Sequence, residues 1–564
     1  MRKYKIIRIL AWFFSMILVL FLVLWMILFF STRVAEPVIP DAEKTLMTRM
    51  SSVDTSFTCE HGWLQKAGEG WWLMYLEGSP YEVGYAHGLL TKELMAEQEK
   101  AFTDRLAELI PSKFYQKFML GFVRYFNRNL DNYVLPEFQQ EIYAISRSAP
   151  LEYEFIAPAY ARMLNYHAAH DLGHAVQNMN LVACTTFGVW DGRSADSTLL
   201  IGRNFDFYIN DEFAENKILC FIRPDTGYSF VSVTWAGFAG VVSGMNEKGL
   251  TVTLNAAKSA IPFGAKTPVS LLAREILQYA SSIEEALQIV EKKETFVAES
   301  FLIGSSVDGR AVIIEKSPKI TAVYDPRNDF ILQTNHFQSN EFQADELNIE
   351  NIENETSMYR LMRLQELLDE RPALTVADAA AVLRDYRGLG GKDIGLGNEK
   401  AVNQFICHHS VIFRPESLQV WVASPPWQLG EYRGYCLDSV IMAGTGGGKD
   451  SRDVACNVST MPYTIPADTL LSGTIYQNLL KYRALAKQVE SGQNINNATP
   501  ARMTGSGGDS LIIFNPNFFH TYRILGDYYR EMDRPDEAAE YYRRALETEA
   551  PSKAEREAVI DKMK

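Results

Sequence analysis

Residues 180–190 of this chain read Asn-Leu-Val-Ala-Cys-Thr-Thr-Phe-Gly-Val-Trp. Cys184 therefore opens an apolar run of the kind that forms a buried strand. After a turn, a second run ends in Gly202-Arg-Asn-Phe-Asp-Phe207, with Arg203 and Asp206 three residues apart. A lone strand cysteine is usually a core residue, because free cysteine is commonly interior. The neighbouring residues therefore decide whether Cys184 has a chemical role.

Cleavage of the Ala183–Cys184 bond would give Cys184 such a role. As the first residue of a chain, it carries a thiol nucleophile and an α-amino base together. An α-amine titrates near ~7.7–8.0 and a thiol near ~8.5, so both groups can act close to neutral pH.

Further motifs occur in a fixed order around this segment. They are Gly78-Ser-Pro-Tyr-Glu-Val-Gly-Tyr-Ala-His-Gly88, Gly244-Met-Asn-Glu-Lys-Gly-Leu-Thr-Val-Thr-Leu-Asn255, Gln333-Thr-Asn-His336 and Ser357-Met-Tyr-Arg360. With the Cys184 segment and the Arg203/Asp206 pair, this order resembles the N-terminal nucleophile (Ntn) hydrolase superfamily. Within it, the chain is most similar to the penicillin acyltransferase-type cysteine peptidase/acyltransferase family, whose relatives include bile salt hydrolase, acid ceramidase and phospholipase B-like proteins. The resemblance extends over residues 54–430.

The residue pattern alone indicates an α+β fold. A largely helical stretch from Tyr81 to Ala175 precedes short β-rich runs between Val182 and Leu254, and helices and strands then alternate as far as Val422. The resemblance specifies the Ntn four-layer αββα sandwich, in which the nucleophile begins a strand that is freed by self-cleavage.

The resemblance also implies a role for each residue of the Cys184 segment and the Arg203/Asp206 pair. Cys184 attacks an acyl carbonyl, Arg203 lowers the pKa of the thiol, and Asp206 holds the α-amine. A guanidinium beside a thiol does favour the thiolate. The alternative for Arg203 and Asp206 is a surface ion pair worth ~0–1 kcal/mol.

Three later residues complete the implied site. Asn255 belongs to the oxyanion hole, Asn335 lies beside the amine, and Arg360 matches the last site arginine of the family. The alternatives are strand-end turn formers for the two asparagines and a solvated helix residue for Arg360. The acidic run between them, residues 341–355, is expected to be a solvated loop.

These residues predict a self-processing cysteine hydrolase or acyltransferase that cleaves linear amide C–N bonds of N-acyl substrates through a Cys184 thioester. No metal or organic cofactor is expected. His167, His170 and His174 have a spacing that could place metal ligands on one helix face. Gly173 interrupts that helix, so a structural role is favoured. The alternative function is a non-catalytic, membrane-anchored scaffold that recruits a partner through a C-terminal helical repeat, and this alternative predicts an uncleaved chain.

A membrane anchor is expected at the N-terminus. Residues 9–30 form an uncharged run of 22 residues, long enough to cross a hydrocarbon core of ~30 Å. Four cations precede it, Arg2, Lys3, Lys5 and Arg8, which predicts that residues 33–564 lie outside the cytoplasm, in the periplasm or at the cell surface. A cleaved signal peptide is the alternative, but its apolar region is shorter, ~7–15 residues.

The remaining sequence suggests the following organisation: a cytoplasmic flank and signal-anchor (1–33), a linker (34–55), a largely helical N-terminal segment (56–183), the catalytic domain (184–465), a helix and linker (466–510), and a helical hairpin (511–564). The hairpin resembles one tetratricopeptide repeat and is expected to cap the catalytic domain or to bind a protein partner.

Composition excludes one class of partner. The formal net charge is −14, and no run of Lys and Arg occurs outside the extreme N-terminus. Because nucleic-acid recognition needs a basic face, no nucleic-acid partner is expected.

Overall fold

A computed structural model describes residues 34–40, 47–53, 55–168, 183–207, 209–258, 264–445, 464–490 and 507–564, with a few single positions between 12 and 26. The expected anchor at 9–30 lies mostly outside these residues. Among the residues that are described, no helix is long and apolar enough to cross a membrane.

The larger of two β-sheets has eleven strands in the order β1-β2-β3-β4-β7-β8-β9-β10-β11-β12-β13. Its neighbouring strands are antiparallel except for β4 and β7, which run parallel. The strands are β1 (Met50–Val53), β2 (Ser56–Cys59), β3 (Gly62–Gly68), β4 (Trp71–Gly78), β7 (Lys217–Pro224), β8 (Phe230–Thr234), β9 (Ser243–Asn246), β10 (Leu250–Ala256), β11 (Glu299–Ser305), β12 (Arg310–Lys316) and β13 (Thr321–Tyr324).

The smaller sheet has six antiparallel strands in the order β14-β5-β6-β15-β16-β17. They are β5 (Thr185–Asp191), β6 (Ser197–Phe205), β14 (Phe330–Gln333), β15 (His409–Arg414), β16 (Gln419–Ala423) and β17 (Tyr432–Cys436). β5 begins directly after Cys184, at the position that the sequence predicts for the nucleophile.

Helices cover the outer faces and the C-terminus. They are α1 (Pro80–Leu90), α2 (Lys92–Leu109), α3 (Lys113–Phe126), α4 (Pro136–Ser146), α5 (Ala159–His167), α6 (Asp211–Ala214), α7 (Val269–Tyr279), α8 (Ile283–Glu291), α9 (Glu346–Asn354), α10 (Ser357–Asp369), α11 (Val376–Leu383), α12 (Leu437–Thr445), α13 (Thr474–Glu490), α14 (Gly507–Phe514), α15 (Phe519–Glu531), α16 (Pro535–Glu547) and α17 (Lys553–Lys562).

Side chains that alternate between the two faces of each strand bury both faces of the two sheets, which gives four layers. Leu73 and Tyr75 of β4 pack between the sheets, whereas Met74 and Leu76 pack against α1, α4 and α7 on the other face. In the smaller sheet, Ile201 faces the larger sheet while the alternate residues of β6 pack against α10 and α11. Since both faces of each sheet are covered, the central strands are mostly buried. The predicted α+β fold with αββα layers is confirmed.

The N-terminal segment differs from the prediction. The linker expected at 34–55 includes β1, and the segment 56–183 opens with the strands β2–β4 before its helices begin. Trp71–Leu76 is apolar at every position and is buried on both faces, so it lacks the period-2 alternation that would have identified it as a strand. These strands extend the larger sheet through the parallel pairing of β4 with β7.

The C-terminal helices α15 and α16 form the predicted hairpin. A Cβ atom on Gly526 would lie 2.3 Å from Cε1 of Tyr542, so glycine is required for their close approach. The hairpin docks on the loop 395–400, where the Asn515 side chain exchanges two hydrogen bonds with the Leu396 backbone (2.9 and 2.8 Å) and Lys400 pairs with Glu549 (2.7 Å). The tetratricopeptide relationship and a protein partner for 511–564 remain predictions.

The docking of the hairpin depends on Gly395. This residue has φ +85°, and an added Cβ would lie 2.4 Å from the Cα of Phe518. We expect Gly395→Ala to lower the unfolding temperature and to expose α14–α17 to limited proteolysis, because the strained backbone costs ~1–2 kcal/mol and the clash is with main chain.

Gly391→Ala is the matched control. Gly391 has φ +74° four residues before Gly395, but nothing lies within 4 Å of its added Cβ. It should show the backbone strain alone, and equal proteolysis of the two variants would contradict the proposed docking role.

Candidate active site

The site lies on the inner face of the smaller sheet, where three neighbouring strands bring polar side chains together. β6 pairs with β5 through Arg203 and Thr186, and with β15 through Phe205 and His409. Paired residues of antiparallel strands share a face, as do alternate residues along a strand. Cys184, two residues before Thr186, therefore lies on the same face as Arg203 and His409, and all three are buried.

Arg203 is held in the gap between the two sheets. Its Nη1 donates to Val242 O and Ser243 Oγ, and its Nη2 donates to Leu254 O. Nη2 also lies 3.6 Å from Cys184 Sγ. Burial lowers the pKa of Arg203, yet a guanidinium is not deprotonated in proteins. The structure therefore places a fixed positive charge beside the thiol, and the surface-ion-pair alternative is wrong because Arg203 and Asp206 are both fully buried.

A chain of hydrogen bonds extends from Arg203 to two histidines. Ser243 Oγ lies 2.8 Å from His409 Nε2, and the Nδ1 atoms of His409 and His408 lie 2.9 Å apart. Burial lowers the pKa of His408 to about 3 and that of His409 well below its usual range, so both rings are neutral at physiological pH. Ser243 accepts from Arg203 and so donates to His409, which in turn donates from Nδ1 to His408. This uncharged chain fixes the orientation of Arg203.

The thiol of Cys184 is not activated in the intact chain. Burial raises its pKa to about 11, and the nearby charge of Arg203 offsets only part of that effect. The carboxylate of Glu299, which is also fully buried, acts in the same direction as burial. Since the thiolate is the nucleophilic form, the thiol of the uncleaved chain stays protonated at neutral pH.

Asp206 follows the last residue of β6 and is fully buried. In the described part of the chain, neither of its carboxylate oxygens receives a hydrogen bond from a nitrogen or hydroxyl donor, and its neighbouring side-chain donor is the Cys407 thiol. Burial raises the pKa of Asp206 to about 7 against the opposing charge of Arg360. Its backbone carbonyl accepts a hydrogen bond from the N–H of Ala183 (3.0 Å). A buried carboxylate therefore lies alongside the Ala183–Cys184 bond.

Arg360, in the first turn of α10, connects Cys184 with Asn335. Its Nη1 donates to Cys184 O (2.6 Å) and to Thr185 Oγ1 (3.0 Å), and its Nη2 donates to Asn335 Oδ1 (2.7 Å). Burial lowers the pKa of Arg360 to about 10, so it remains a cation at neutral pH. The solvated-helix alternative for Arg360 is wrong.

Asn335 is fixed from three directions. Its backbone N–H donates to Ser357 Oγ (2.7 Å), its Nδ2 donates to Ala256 O (3.0 Å), and its carbonyl accepts from Asn351 Nδ2 (2.5 Å). Asn351 belongs to α9, which lies in the acidic run that the sequence predicts to be a loop. That prediction is wrong, because Asp345 caps a helix that turns its buried asparagine face toward the site.

Asn255, at the end of β10, reaches the Cys184 strand from the opposite sheet. Its Oδ1 accepts from Thr186 Oγ1 (3.0 Å), and its Nδ2 donates to Thr334 O (3.1 Å). An amide NH₂ has two hydrogens, so a second donor of Asn255 remains beyond the bond to Thr334. The structure thus gathers all six predicted site residues around the start of β5.

Sequence reasoning missed Ser243, His409, Ser357 and Asn351. The polar group Cys407-His-His-Ser410 before an apolar run was the available signal, but strand register decides which of these residues meets Arg203.

His167 has a structural role, as the sequence suggests. Its Nδ1 contacts Met163 O (2.8 Å), and its Nε2 accepts from the Ala239 N–H (2.8 Å). Both ring nitrogens are therefore occupied by backbone groups. His170 and His174 lie outside the described residues, and the described part of the chain holds no group of three or more side chains that could bind a metal.

Comparison with known proteins finds similar sequences. Residues 193–423 match the family model of acyl-coenzyme A:6-aminopenicillanic acid acyl-transferase. An uncharacterised protein of Archaeoglobus fulgidus is 30% identical over 293 residues, which are 47% of this chain and 48% of that protein. Acid ceramidase of Rattus norvegicus is 25% identical over 182 residues, which are 27% of this chain and 45% of that enzyme. The chain thus spans about half the length of these curated relatives.

Among solved structures, the Caenorhabditis elegans orthologue of N-acylethanolamine-hydrolysing acid amidase is 19% identical, with a TM-score of 0.30, over 41% of this chain and 93% of that one. This similarity is too low to bear on the site. The family match rests on the sequence, and the matched residues 193–423 carry five of the six predicted site residues.

Proposed function

We propose that this chain is a self-processing cysteine Ntn enzyme that cleaves, or transfers the acyl group of, linear N-acyl amides. The observation that carries the proposal is the buried carboxylate of Asp206, which has no cation, nitrogen donor or hydroxyl donor hydrogen-bonded to it among the described residues and lies beside the Ala183–Cys184 bond. A buried carboxylate is costly unless a donor or a cation pairs with it. The α-ammonium that cleavage would create at Cys184 supplies both.

Self-cleavage would begin when Cys184 Sγ attacks the carbonyl carbon of Ala183. The C–N bond breaks, the acyl group moves from nitrogen to sulfur, and the thiol proton passes to the released α-amine. Water then hydrolyses this thioester, leaving a carboxylate on Ala183 and the free thiol on Cys184. The product is a nucleophile and a base on one residue.

Substrate turnover would use the same groups. The thiolate, stabilised by Arg203, attacks the acyl carbonyl of an N-acyl amide, the remaining amide hydrogen of Asn255 stabilises the oxyanion, and Asn335 lies beside the α-amine. The α-ammonium protonates the leaving amine, and an acyl thioester remains on Cys184. Water or a second amine then takes up the acyl group, so hydrolysis and transfer share this intermediate.

The first prediction concerns processing. Intact mass and N-terminal sequencing should show two fragments, residues 1–183 and 184–564, and Cys184→Ala should remain one chain because the attacking sulfur is lost. Cys220→Ala, which removes another buried thiol on β7, should be cleaved normally. A single intact chain in the unsubstituted protein would support the scaffold alternative instead.

The second prediction concerns pH and stability in the uncleaved Cys184→Ala background. The folded-state pKa of Asp206, about 7, lies above its ordinary value of 3.8. Stability from this group is therefore complete below the ordinary pKa and is lost as pH rises through 7. We expect the unfolding temperature of Cys184→Ala to fall between pH 5 and 8, and the fall to be smaller after Asp206→Asn.

An identical pH dependence with and without Asp206→Asn would mean that other groups control this stability. Asp385→Asn is the control. Asp385 forms an ion pair with Arg363 (2.9 Å) and does not contact Cys184.

The third prediction concerns the positioning of Arg203. Ser243→Ala removes the hydroxyl between Arg203 and His409, and the loss of such a buried bond costs ~0.5–1.5 kcal/mol, or up to about tenfold in kcat/KM. We expect the pH profile of iodoacetamide alkylation of processed Cys184 to move to higher pH, since Arg203 then stabilises the thiolate less. Ser243→Thr keeps the hydroxyl and should restore both kcat/KM and the pH profile of alkylation.

Ser410→Ala removes a hydroxyl on the other face of β15, where it bonds to Asn204 (2.7 Å). If this control shifted the alkylation profile equally, the effect would be one of general stability.

A further inference from the structure

The helix α3 presents one face of large aromatic side chains to solvent. Phe114, Phe118 and Phe122 are 83%, 61% and 45% exposed, and Tyr115 and Tyr125 are similarly accessible. At 100° per residue, these five positions fall within about 100° of the helix circumference. The face is about 16 Å long at 1.5 Å per residue. Isolated exposed apolar residues are normal, but a continuous aromatic stripe marks an interaction surface.

Two residues of α3 outside the aromatic face, at about 120° and 180° around the helix from Phe114, attach the helix to the catalytic unit. Val123 and Phe126 pack against the core beneath the larger sheet, and the ring of Phe126 lies 5.7 Å from that of Phe296. None of the residues in α3 is fully buried. The aromatic face therefore points away from the core of the protein.

Positive charge follows one edge of the aromatic face. Lys113, Lys117 and Arg124 lie within about 40° of each other on the helix circumference, and both lysines are exposed. Arg124 donates to the carbonyl of Ile156. This contact places the loop 151–155 beside the helix, and the loop carries the exposed apolar side chains of Leu151 (76%) and Phe155 (70%).

The N-terminal apolar run leads to this surface. Val34, four residues after the run 9–30 ends, packs against the same core as α3. Val34 and Glu36 line a cavity of about 460 Å³ together with Arg124 and Asn127. The apolar run 9–30 is therefore joined by only a few residues to the part of the protein that carries α3.

We propose that the aromatic face of α3, with Leu151 and Phe155, docks on the surface of a phospholipid bilayer. Aromatic side chains favour the headgroup level, and helices with one aromatic face and flanking lysines lie in the plane of the interface with the apolar side buried. A bilayer also explains why the chain enters this side of the molecule after an apolar run long enough to span it. The proposal does not depend on the catalytic mechanism, so an inactive chain should dock equally well.

The test places a photoreactive residue in the full-length chain. Phe118 is replaced by p-benzoyl-phenylalanine, and the protein is reconstituted in phosphatidylcholine and phosphatidylglycerol vesicles that contain an alkyne-labelled phospholipid. Irradiation should produce a lipid adduct on the protein. The matched control is the same replacement at Ile513 of α14, which is equally exposed at 65%, where the lipid adduct should fall to background.

The same photoreactive residue at Phe122 provides a second measurement of lipid labelling if the variant at Phe118 folds poorly. Phe114→Ser, introduced into the chain with the photoreactive residue at position 122, should reduce the lipid adduct. The substitution removes another anchoring ring on the same helix face. Adducts to a second copy of this chain or to another protein would overturn the proposal, as would equal lipid labelling at positions 118 and 513.

Discussion

The buried guanidinium of Arg203 is the contact on which the site depends. It joins the two sheets, because it leaves β6 of the smaller sheet and donates to Val242, Ser243 and Leu254 of the segments that form the larger one. These three acceptors on the Nη atoms offset part of the cost of burying the cation, whose Nε has no partner in the described part of the chain. The same engagement leaves one direction for the Cys184 sulfur at 3.6 Å. The same side chain therefore contributes both to the packing of the two sheets and to the charge beside the thiol.

Much of this arrangement could be predicted from the residues. The order of motifs located Cys184, Arg203, Asp206, Asn255, Asn335 and Arg360, and the apolar runs located most strands after residue 184. Contacts that depend on register or on long-range packing could not be predicted. Ser243 and His409 meet only because β9 lies opposite β15 across the sandwich, and Asn351 reaches Asn335 only because an acidic stretch folds as a helix. The strand β4 could not be identified because a strand buried on both faces has no alternating pattern, and β1–β3 are short strands that pair with it or with each other.

The N-terminal segment combines two tasks in one piece of chain. Its strands extend the larger sheet, and its helices α1 and α4 cover the outer face of that sheet. The helix α3 contributes little to the core and instead carries the aromatic face. Residues that precede Cys184 therefore support the fold of the catalytic unit and, in our proposal, orient it toward a bilayer. Neither task requires a covalent link to Cys184.

The parallel pairing of β4 with β7 has a consequence for reversibility. The two strands lie on opposite sides of the Ala183–Cys184 bond, and eight residue pairs join them. A chain cut at that bond stays together in the native state, since the sheet and the helices above it bridge the gap. After denaturation, however, the two pieces must find each other by diffusion, so refolding changes from a first-order to a second-order process. Maturation would then leave the active protein as a product that its own sequence can no longer regenerate alone, and its lifetime would be set by the rate of unfolding.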